Sequence, residues 1–335
     1  MRQECPNCEI LILRNGIQDL PQGTDVAEKD VFYQDSFFLL REIYIRKKGK
    51  GNALNEGIRH ARNDLICVLD ADCVLQEDAL SEAVKHFRND EVVAVGGRLL
   101  VKREDSSQLE AIQFCEYMKA FQLSRRIFAR LNAQCLISGA FGVFRKSTLL
   151  GMNGYDIDTV GEDMELVLRL QKQGFQQSKK QIVYEPTAVC YTGVPHSIKR
   201  LLHQRGRWQR GLMDCLIKHH NLIANPRYGL LGLVTMCYQL MVELLGPIFW
   251  VIYTVLLIDK NMFPFFSVAF VGYALVQIGL TIFAAYIDTE KNMGSLLRWI
   301  LKLIITTIEE MVLQIPIMVA RVVGMLTFHW RRLVW

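Results

Sequence analysis

Residues 65–72 read LICVLDAD, and this stretch decides how the N-terminal half is interpreted. Five apolar residues in succession are typical of a strand buried on both faces, as in parallel sheets. A helical pattern with Asn52 as its cap precedes this strand, and a helical pattern over 77–87 and a strand over 92–95 follow it. The order strand–helix–strand predicts an α/β domain with a mostly parallel sheet and flanking helices.

The same alternation extends over the first 194 residues. Further strands are predicted over 9–13, 41–45, 182–184 and 188–191, and residues 16–35 have the composition of a loop. A long helix is predicted over 108–130. Another is predicted over 164–173, ended by Gly174 as its C-cap.

The C-terminal third has a different composition. Between 228 and 287 only Glu243, Asp259 and Lys260 carry a charge, and residues 261–287 carry none. A bilayer span needs about 20 apolar residues. We therefore expect spans at about 230–257 and 263–286, and a third stretch over 296–328 that is either one span or an interfacial helix with a partial span. Glu243, Glu309 and Glu310 either face a protein or channel interior or mark breaks between shorter segments.

A basic amphipathic helix is predicted just before the first span, over 195–220. Such a helix lies well at a membrane surface, where arginines meet anionic headgroups. The predicted domains are therefore 1–194 (polar α/β domain), 195–227 (basic interface region) and 228–335 (membrane region). The basic residues that flank the first span place the α/β domain in the cytoplasm and the chain in the cell membrane.

Composition limits the functional classes. Hydrophobic residues make up 51% of the chain, which disfavours disorder. The net charge of +5 comes without a basic stripe interleaved with aromatic residues, so nucleic acid is not predicted as a partner.

Asp70 and Asp72 follow the decisive strand at the edge of the sheet where α/β domains bind ligands. Two carboxylates in this spacing can hold one hard divalent cation that bridges a diphosphate. A solvated strand-to-helix turn explains the same residues equally well, because aspartate favours such turns.

Three other strings carry chemistry-bearing side chains. Glu162 and Asp163 precede a helix, where they supply either its cap or a general base. The loop 47–51 contains three lysines and two glycines, and it is either a phosphate site or a solvated turn. Residues 204–208 read QRGRW, which serves either phosphate and sugar binding or anchoring at the membrane interface.

The order of these strings resembles the family 2 membrane glycosyltransferases, such as the cellulose, hyaluronan and poly-N-acetylglucosamine synthases. The resemblance is carried by 49–55 (GKGNALN), 70–72 (DAD), 138–139 (SG), 161–163 (GED) and 204–208 (QRGRW). It implies a GT-A fold followed by a transmembrane helical region. It also implies inverting transfer of a sugar from a nucleotide sugar, usually UDP-linked, to a polysaccharide or glycolipid acceptor.

The resemblance also implies roles for single residues. Asp163 is the catalytic base, and Asp70 and Asp72 hold Mg²⁺ or Mn²⁺. The donor and its diphosphate contact Asp19, Lys50, Asp70 and Arg207. The acceptor contacts Ser138, Gly139, Glu162, Gln204 and Trp208. Partners are the nucleotide-sugar donor, a saccharide or lipid-linked acceptor, the bilayer and, for a complete channel, an additional membrane subunit or a second copy.

The chain departs from the family at its start. The usual first strand and preceding span are not seen, and Asn15 stands where an aspartate is expected, while Asp19 is kept. A catalytically silent glycosyltransferase-like subunit or a truncated fragment is therefore an alternative. A transporter or scaffold with a regulatory domain is another, and it leaves the aspartates unexplained.

Overall fold

The computed structural model describes residues 8–21, 23–31, 39–102, 107–177, 180–258, 263–287 and 296–328. The strands are β1 Glu9–Asn15, β2 Val26–Val31, β3 Leu39–Ile45, β4 Leu65–Leu69, β5 Val74–Leu75, β6 Val92–Val101, β7 Phe141–Arg145 and β8 Gln181–Thr192. The α-helices are α1 Lys50–His60, α2 Ala79–Val84, α3 Gln108–Lys119, α4 Arg126–Arg130, α5 Lys146–Gly151, α6 Glu162–Gln177, α7 Ile198–Lys218, α8 Gly246–Ile258, α9 Phe263–Ile287 and α10 Leu296–Leu326.

The chain divides into two compact units. The first consists of Met1–Arg98 and Cys135–Cys190, and the second of Leu99–Gln134 and Tyr191–Trp330. The first unit is an α/β domain, and the second is mainly helical. The predicted fold class, an α/β domain followed by a helical apolar region, is therefore confirmed, while the predicted domain boundaries stay a prediction.

The first unit contains mixed sheets, which corrects the prediction of a mostly parallel one. A three-stranded sheet has the order β1-β3-β2, with β1 parallel and β2 antiparallel to β3. A five-stranded sheet has the order β4-β7-β6-β8-β5, and β7 is antiparallel to both β4 and β6. The apolar run of β4 is thus explained by an antiparallel neighbour, β7, which comes from more than 70 residues later in the chain.

Three local predictions were wrong. The strand β2 lies inside the segment predicted as a loop, and the pairing of Glu28 with Arg41 on β3 stabilises this polar strand. Helix α1 begins at Lys50 rather than after Asn52, because Gly49 precedes it with a φ of 119°. Helix α6 continues through Gly174 to Gln177.

Packing of α1 and α6 on the sheets positions the start of each helix. Helix α1 packs on the small sheet so closely that a Cβ at Gly57 would lie 2.9 Å from the side chain of Leu13. Helix α6 contributes Leu166 and Leu170 to a buried cluster with Val93 of β6. Both helices therefore have fixed N-terminal turns, and those turns carry Lys50 and Asp163.

The second unit contains three helical stretches that are long and apolar enough to cross a membrane, judged by length and composition. They are Leu231–Leu256, Ser267–Ile287 and Leu303–Leu326, close to the expected spans. The third lies within the single helix α10, which includes Pro316. The predicted helix over 108–130 consists of α3, a π-helical segment Ala120–Arg125 and α4.

The acidic residues of these apolar stretches all have partners. Glu243 lies 2.8 Å from Arg321, and Glu310 lies 2.7 Å from Lys119. Glu309 accepts a hydrogen bond of 3.0 Å from Gln108. Because an unpaired carboxylate is costly in an apolar environment, the contact of the buried Glu310 favours the protein-interior interpretation for that residue, whereas Glu243 and Glu309 make their contacts while partly exposed.

Candidate active site

The first unit gathers its candidate residues around the amine of Lys50, the first residue of α1. Its Nζ lies 2.6 Å from Oδ1 of Asp70, which follows β4. The same amine lies 3.9 Å from Oε1 of Glu162 and donates a hydrogen bond of 3.3 Å to the carbonyl of Gly139. One cation therefore connects three segments that are far apart in the sequence.

Gly139 connects this cation to the candidate base. Its backbone N–H donates to Oδ2 of Asp163 at 3.1 Å, and its carbonyl faces Lys50. A Cβ at this position would lie 3.1 Å from the Lys50 amine, which it would crowd, and 3.6 Å from Asp163, which is an ordinary contact distance.

Asp163 is held in a fixed orientation at the start of α6. Its Oδ1 accepts a hydrogen bond of 2.8 Å from the N–H of Met164, and its Oδ2 accepts the bond from Gly139. Asp163 is the second residue of α6 and bonds to the N–H of its own neighbour, so it does not make the hydrogen bond of a helix cap, which comes from two or three residues further on. Its carboxylate lies in the acidic first turn, where the helix dipole favours negative charge, and each oxygen keeps a second lone pair for a proton.

Charge sets the protonation of Lys50. Burial alone lowers the pKa of this amine, but the carboxylates of Asp70, Glu162 and Asp163 outweigh burial, and the pKa is raised above its ordinary value. The lysine side chain is 41% exposed, so a ligand can reach it. The cluster thus presents a permanent cation among three carboxylates.

The remaining candidates of the first unit lie on the same segments or just beyond them. Asp72 is exposed in the turn after β4, and Ser138 accepts the N–H of Ala140 at 3.3 Å. Asn15 ends β1 and accepts the N–H of Gly49 at 3.4 Å. Asp19 is exposed in the segment after β1.

The donor set after β4 fits a hard divalent cation. Asp70 and Asp72 offer carboxylate oxygens, which Mg²⁺ and Mn²⁺ prefer. The described residues contain no group of three or more His, Cys, Asp or Glu side chains that could hold a metal ion. A cation here would therefore take its other ligands from water or from a bound diphosphate.

The sequence analysis did not predict the hydrogen bonds of Asn55, which lies on α1 together with Lys50. The amide side chain of Asn55 receives the N–H of Tyr155 at 2.7 Å and donates to its carbonyl at 2.9 Å. Burial, followed by the charge of Asp163, raises the pKa of the Tyr155 hydroxyl. The signal available in the sequence was the second asparagine of GKGNALN.

Gln204, Arg207 and Trp208 share helix α7 in the second unit. The side-chain oxygen of Gln204 is buried and has no hydrogen-bond partner in the described structure. Trp208 is 42% exposed, and the guanidinium of Arg205 lies 4.4 Å from its ring centroid. Arg205 also pairs with Glu116 of α3 at 2.6 Å, a contact that the sequence analysis did not predict.

Comparison with known proteins adds the family. The model of glycosyl transferase family group 2 matches residues 65–287. The poly-beta-1,6-N-acetyl-D-glucosamine synthase of Staphylococcus aureus (strain COL) is 32% identical over 252 residues, which are 74% of this chain and 56% of that protein. The synthase of the same name from Staphylococcus epidermidis is 31% identical over 250 residues, with the same coverage.

The chain thus spans about half the length of the curated relatives it matches. Among solved structures, a mannosyltransferase from Pyrobaculum calidifontis in complex with GDP-Man and Mn²⁺ is a distant neighbour. It has a TM-score of 0.44 and 19% identity, and the match covers 76% of this chain and 71% of that one.

Proposed function

The chain belongs to glycosyl transferase family group 2, and on this premise we propose that it moves a sugar from a nucleotide sugar to a growing polysaccharide or glycolipid. UDP-N-acetylglucosamine is the first donor to test, because the relatives named above are poly-beta-1,6-N-acetyl-D-glucosamine synthases. The transfer inverts the anomeric centre in a single displacement.

One observation carries the proposal: the backbone of Gly139 joins the cation of Lys50 to the carboxylate of Asp163. A sugar transfer needs positive charge at the leaving diphosphate and a base at the attacking hydroxyl. A cation at the carbonyl and a carboxylate at the N–H of one glycine supply both within a short distance.

The donor contacts Asp19, Lys50, Asp70 and Arg207, and Asp72 joins Asp70 as a metal ligand. Lys50 exchanges its contact with Asp70 for a phosphate oxygen, since both ligands are anionic. Arg207 adds a second cation, and Asp19 contacts the nucleotide. Asp70 and Asp72 would hold Mg²⁺ or Mn²⁺, and the bound ion would supply positive charge for the departing diphosphate.

Acceptor binding involves Ser138, Gly139, Glu162, Gln204 and Trp208. Asp163 accepts the proton of the acceptor hydroxyl as that oxygen attacks the anomeric carbon. Its two backbone hydrogen bonds prevent rotation of the carboxylate, which supports this role because a general base must be held within hydrogen-bond reach of the hydroxyl. The exposed indole face of Trp208 suits a sugar ring.

The location follows from the three apolar helical stretches. We place them across the cell membrane and the α/β domain on the cytoplasmic side, where nucleotide sugars are found. Three spans leave room for an additional membrane subunit or a second copy of the chain to complete a path for the product.

The test supplies the full chain in membranes with a panel of radiolabelled UDP-sugars and either Mg²⁺ or Mn²⁺. We expect incorporation that chelation abolishes and that Asp163→Asn lowers by about 10²- to 10⁴-fold, the range of general-base catalysis, while UDP still binds. Asp78→Asn is the matched control, because Asp78 is exposed and its side chain makes no cap hydrogen bond.

Two results contradict the proposal. If Asp163→Asn still incorporates sugar within a few fold of the wild-type rate, Asp163 is not the general base. Failure of every donor with a folded chain removes the transfer itself.

A silent subunit is the second candidate, and Asn15 favours it. The residue occupies the end of β1 beside Gly49, where the family resemblance implies an aspartate. This alternative predicts UDP binding without transfer, which the same panel distinguishes.

A further inference from the structure

Helices α7 and α10 cross with their backbones in contact. A Cβ at Gly324 of α10 would lie 2.6 Å from the carbonyl oxygen of Gly206 on α7. In the other direction, a Cβ at Gly206 would lie 3.2 Å from the carbonyl oxygen of Ala320. Paired glycines permit this close approach, and any larger residue at Gly324 must push the helices apart.

Arg321 lies three residues before Gly324, and its side chain bonds α10 to α7 at the same crossing. Its Nε donates to the side-chain oxygen of Gln209 on α7 at 2.6 Å. The same guanidinium lies 2.8 Å from the carboxylate of Glu243 and also donates to the Glu243 backbone carbonyl. An arginine inside an apolar helix needs such partners, so its position is strongly determined.

Gln209 completes the network. Its side-chain nitrogen donates to the carbonyls of Glu243 and Leu244 at 3.1 and 3.3 Å. Both ends of the amide are therefore satisfied, and the residue is only 2% exposed. A buried amide with every bond made fixes the rotation of its own helix, because turning α7 would break several hydrogen bonds together.

The face opposite this contact carries the sugar-binding string. Successive residues of an α-helix are about 100° apart, so Gly206 and Gln209 share one face of α7. Gln204, Arg207 and Trp208, at spacings of three and four, share the face on the other side. The exposure agrees, since Trp208 is 42% exposed and its neighbour Gln209 is buried.

We propose that Arg321 and Gly324 are positioning residues for glycosyl transfer. They contact the face of α7 that carries Gly206 and Gln209, and so fix the rotation of the helix. This rotation sets the direction in which Gln204, Arg207 and Trp208 face the donor and acceptor. This inference rests on the proposed function, and it adds a role for a helix that carries no family motif. A displacement of about 1 Å in a reacting group can cost up to a hundredfold in rate.

The first experiment compares Arg321→Gln and Gly324→Ala with two controls in the full chain. Arg227→Gln removes an exposed arginine side chain of the second unit, and Gly279→Ala adds a Cβ that meets nothing within 4 Å. We expect turnover with the active UDP-sugar to fall roughly ten- to hundredfold in the two test variants. Both variants should stay folded at the assay temperature, although their melting temperatures should lie below those of the controls because each disturbs a packed crossing. UDP affinity should fall by less than turnover, since Arg207 is the one donor-binding candidate on α7.

The conservative variant Arg321→Lys keeps a positive charge near Glu243 but lacks the forked guanidinium, whose Nε also donates to Gln209. It should recover part of the turnover lost in Arg321→Gln. This variant also decides the question if Arg321→Gln does not fold. Wild-type turnover in both Arg321→Lys and Gly324→Ala overturns the proposal, and so does a loss of turnover that the unfolded fraction at the assay temperature accounts for in full.

A second readout does not depend on activity. In a background where the other four tryptophans are replaced by phenylalanine, acrylamide quenching reports the surroundings of Trp208. Arg321→Gln and Gly324→Ala should change the quenching constant, and Gly279→Ala should not. If the wild type transfers no sugar from any donor, the proposed function fails, and quenching alone then decides the positioning role. Unchanged quenching overturns it.

Discussion

The sharpest prediction concerns Lys50→Met, which removes the shared cation and keeps a side chain of similar length. We expect a large loss of donor affinity with little loss of stability. The amine is bound to Asp70 and Gly139 in the absence of ligand, and the proposed function requires it to bind a phosphate oxygen. The effect on stability and the effect on donor affinity can be measured separately, because the contact with Asp70 exists in the free chain and the contact with phosphate exists only with the donor bound.

The magnitudes decide the outcome. The side chains of Lys50 and Asp70 are 41% and 37% exposed, so their pair is close to a surface ion pair, worth about 0–1 kcal/mol. A charge-assisted hydrogen bond to a bound phosphate contributes about 1.5–3 kcal/mol. At about 1.4 kcal/mol per factor of ten, Lys50→Met should weaken donor binding roughly ten- to hundredfold. The melting temperature should fall by no more than about 4 °C.

The assay measures UDP affinity by calorimetry and stability by thermal unfolding of the same preparation. Lys85→Met is the matched control, since Lys85 is 43% exposed and pairs with Glu82 on the surface of the first unit. The control should show the small stability change without the affinity change. If Lys50→Met unfolds at a much lower temperature while binding UDP as tightly as the wild type, Lys50 is a structural residue and the donor role is refuted.

Three other predictions use the same preparations. Gly154→Ala should destabilise the first unit by about 2–3 kcal/mol, as measured by thermal unfolding, because Gly154 has a φ of 71° and a Cβ there would lie 2.1 Å from the Asn55 side-chain oxygen. Lys119→Met should lower the free energy of unfolding by about 3–5 kcal/mol, because it leaves the carboxylate of Glu310 buried and unpaired. The double variant with Glu310→Met should lose much less, and additive losses in a double-mutant cycle would contradict this. Because the carboxylates around Lys50 raise its pKa, its contribution to UDP binding should be complete below the ordinary value of 10.5 and disappear only above it, so a loss of affinity between pH 7 and 9 that Lys50→Met abolishes would contradict the assignment.

The local parts of the fold were predictable from local patterns. The strand β4 and the apolar stretches of the second unit follow from runs of apolar residues, and the N-terminal turn of α6 follows from its acidic start. Strand direction was not predictable in the same way. An apolar run of five residues fits a parallel and an antiparallel neighbour equally well, and β7, which lies beside β4, is supplied by residues 141–145.

Part of the candidate site was predictable for a different reason. Lys50, Asp70 and Asp163 lie at strand ends and helix starts, and the resemblance to the family 2 glycosyltransferases gave them roles. The structure brings them together in one unit. The contacts of Gly139 could not be predicted, because they use its backbone N–H and carbonyl, which every residue other than proline has. Only the space around it, too narrow for a side chain beside Lys50, distinguishes this residue.

The hydrogen bonds that hold α7 against α10 could not be predicted from the sequence. The residues that form them are far apart in the chain and belong to different sequence patterns. Gln209 follows a string that was interpreted for sugar binding, and Arg321 lies more than 100 residues later in an apolar helix. In a span-like sequence an isolated arginine or glutamate is ambiguous, since it either lines a path or bonds to another helix. Here the partner distances favour bonding. The charge of Arg321 contributes to the crossing of two helices, and under the proposed positioning role it fixes the rotation of α7. A replacement such as Arg321→Met, which keeps much of the volume but neither the charge nor the hydrogen bonds, should therefore leave turnover as low as Arg321→Gln does, because it restores no bond to Gln209 or Glu243.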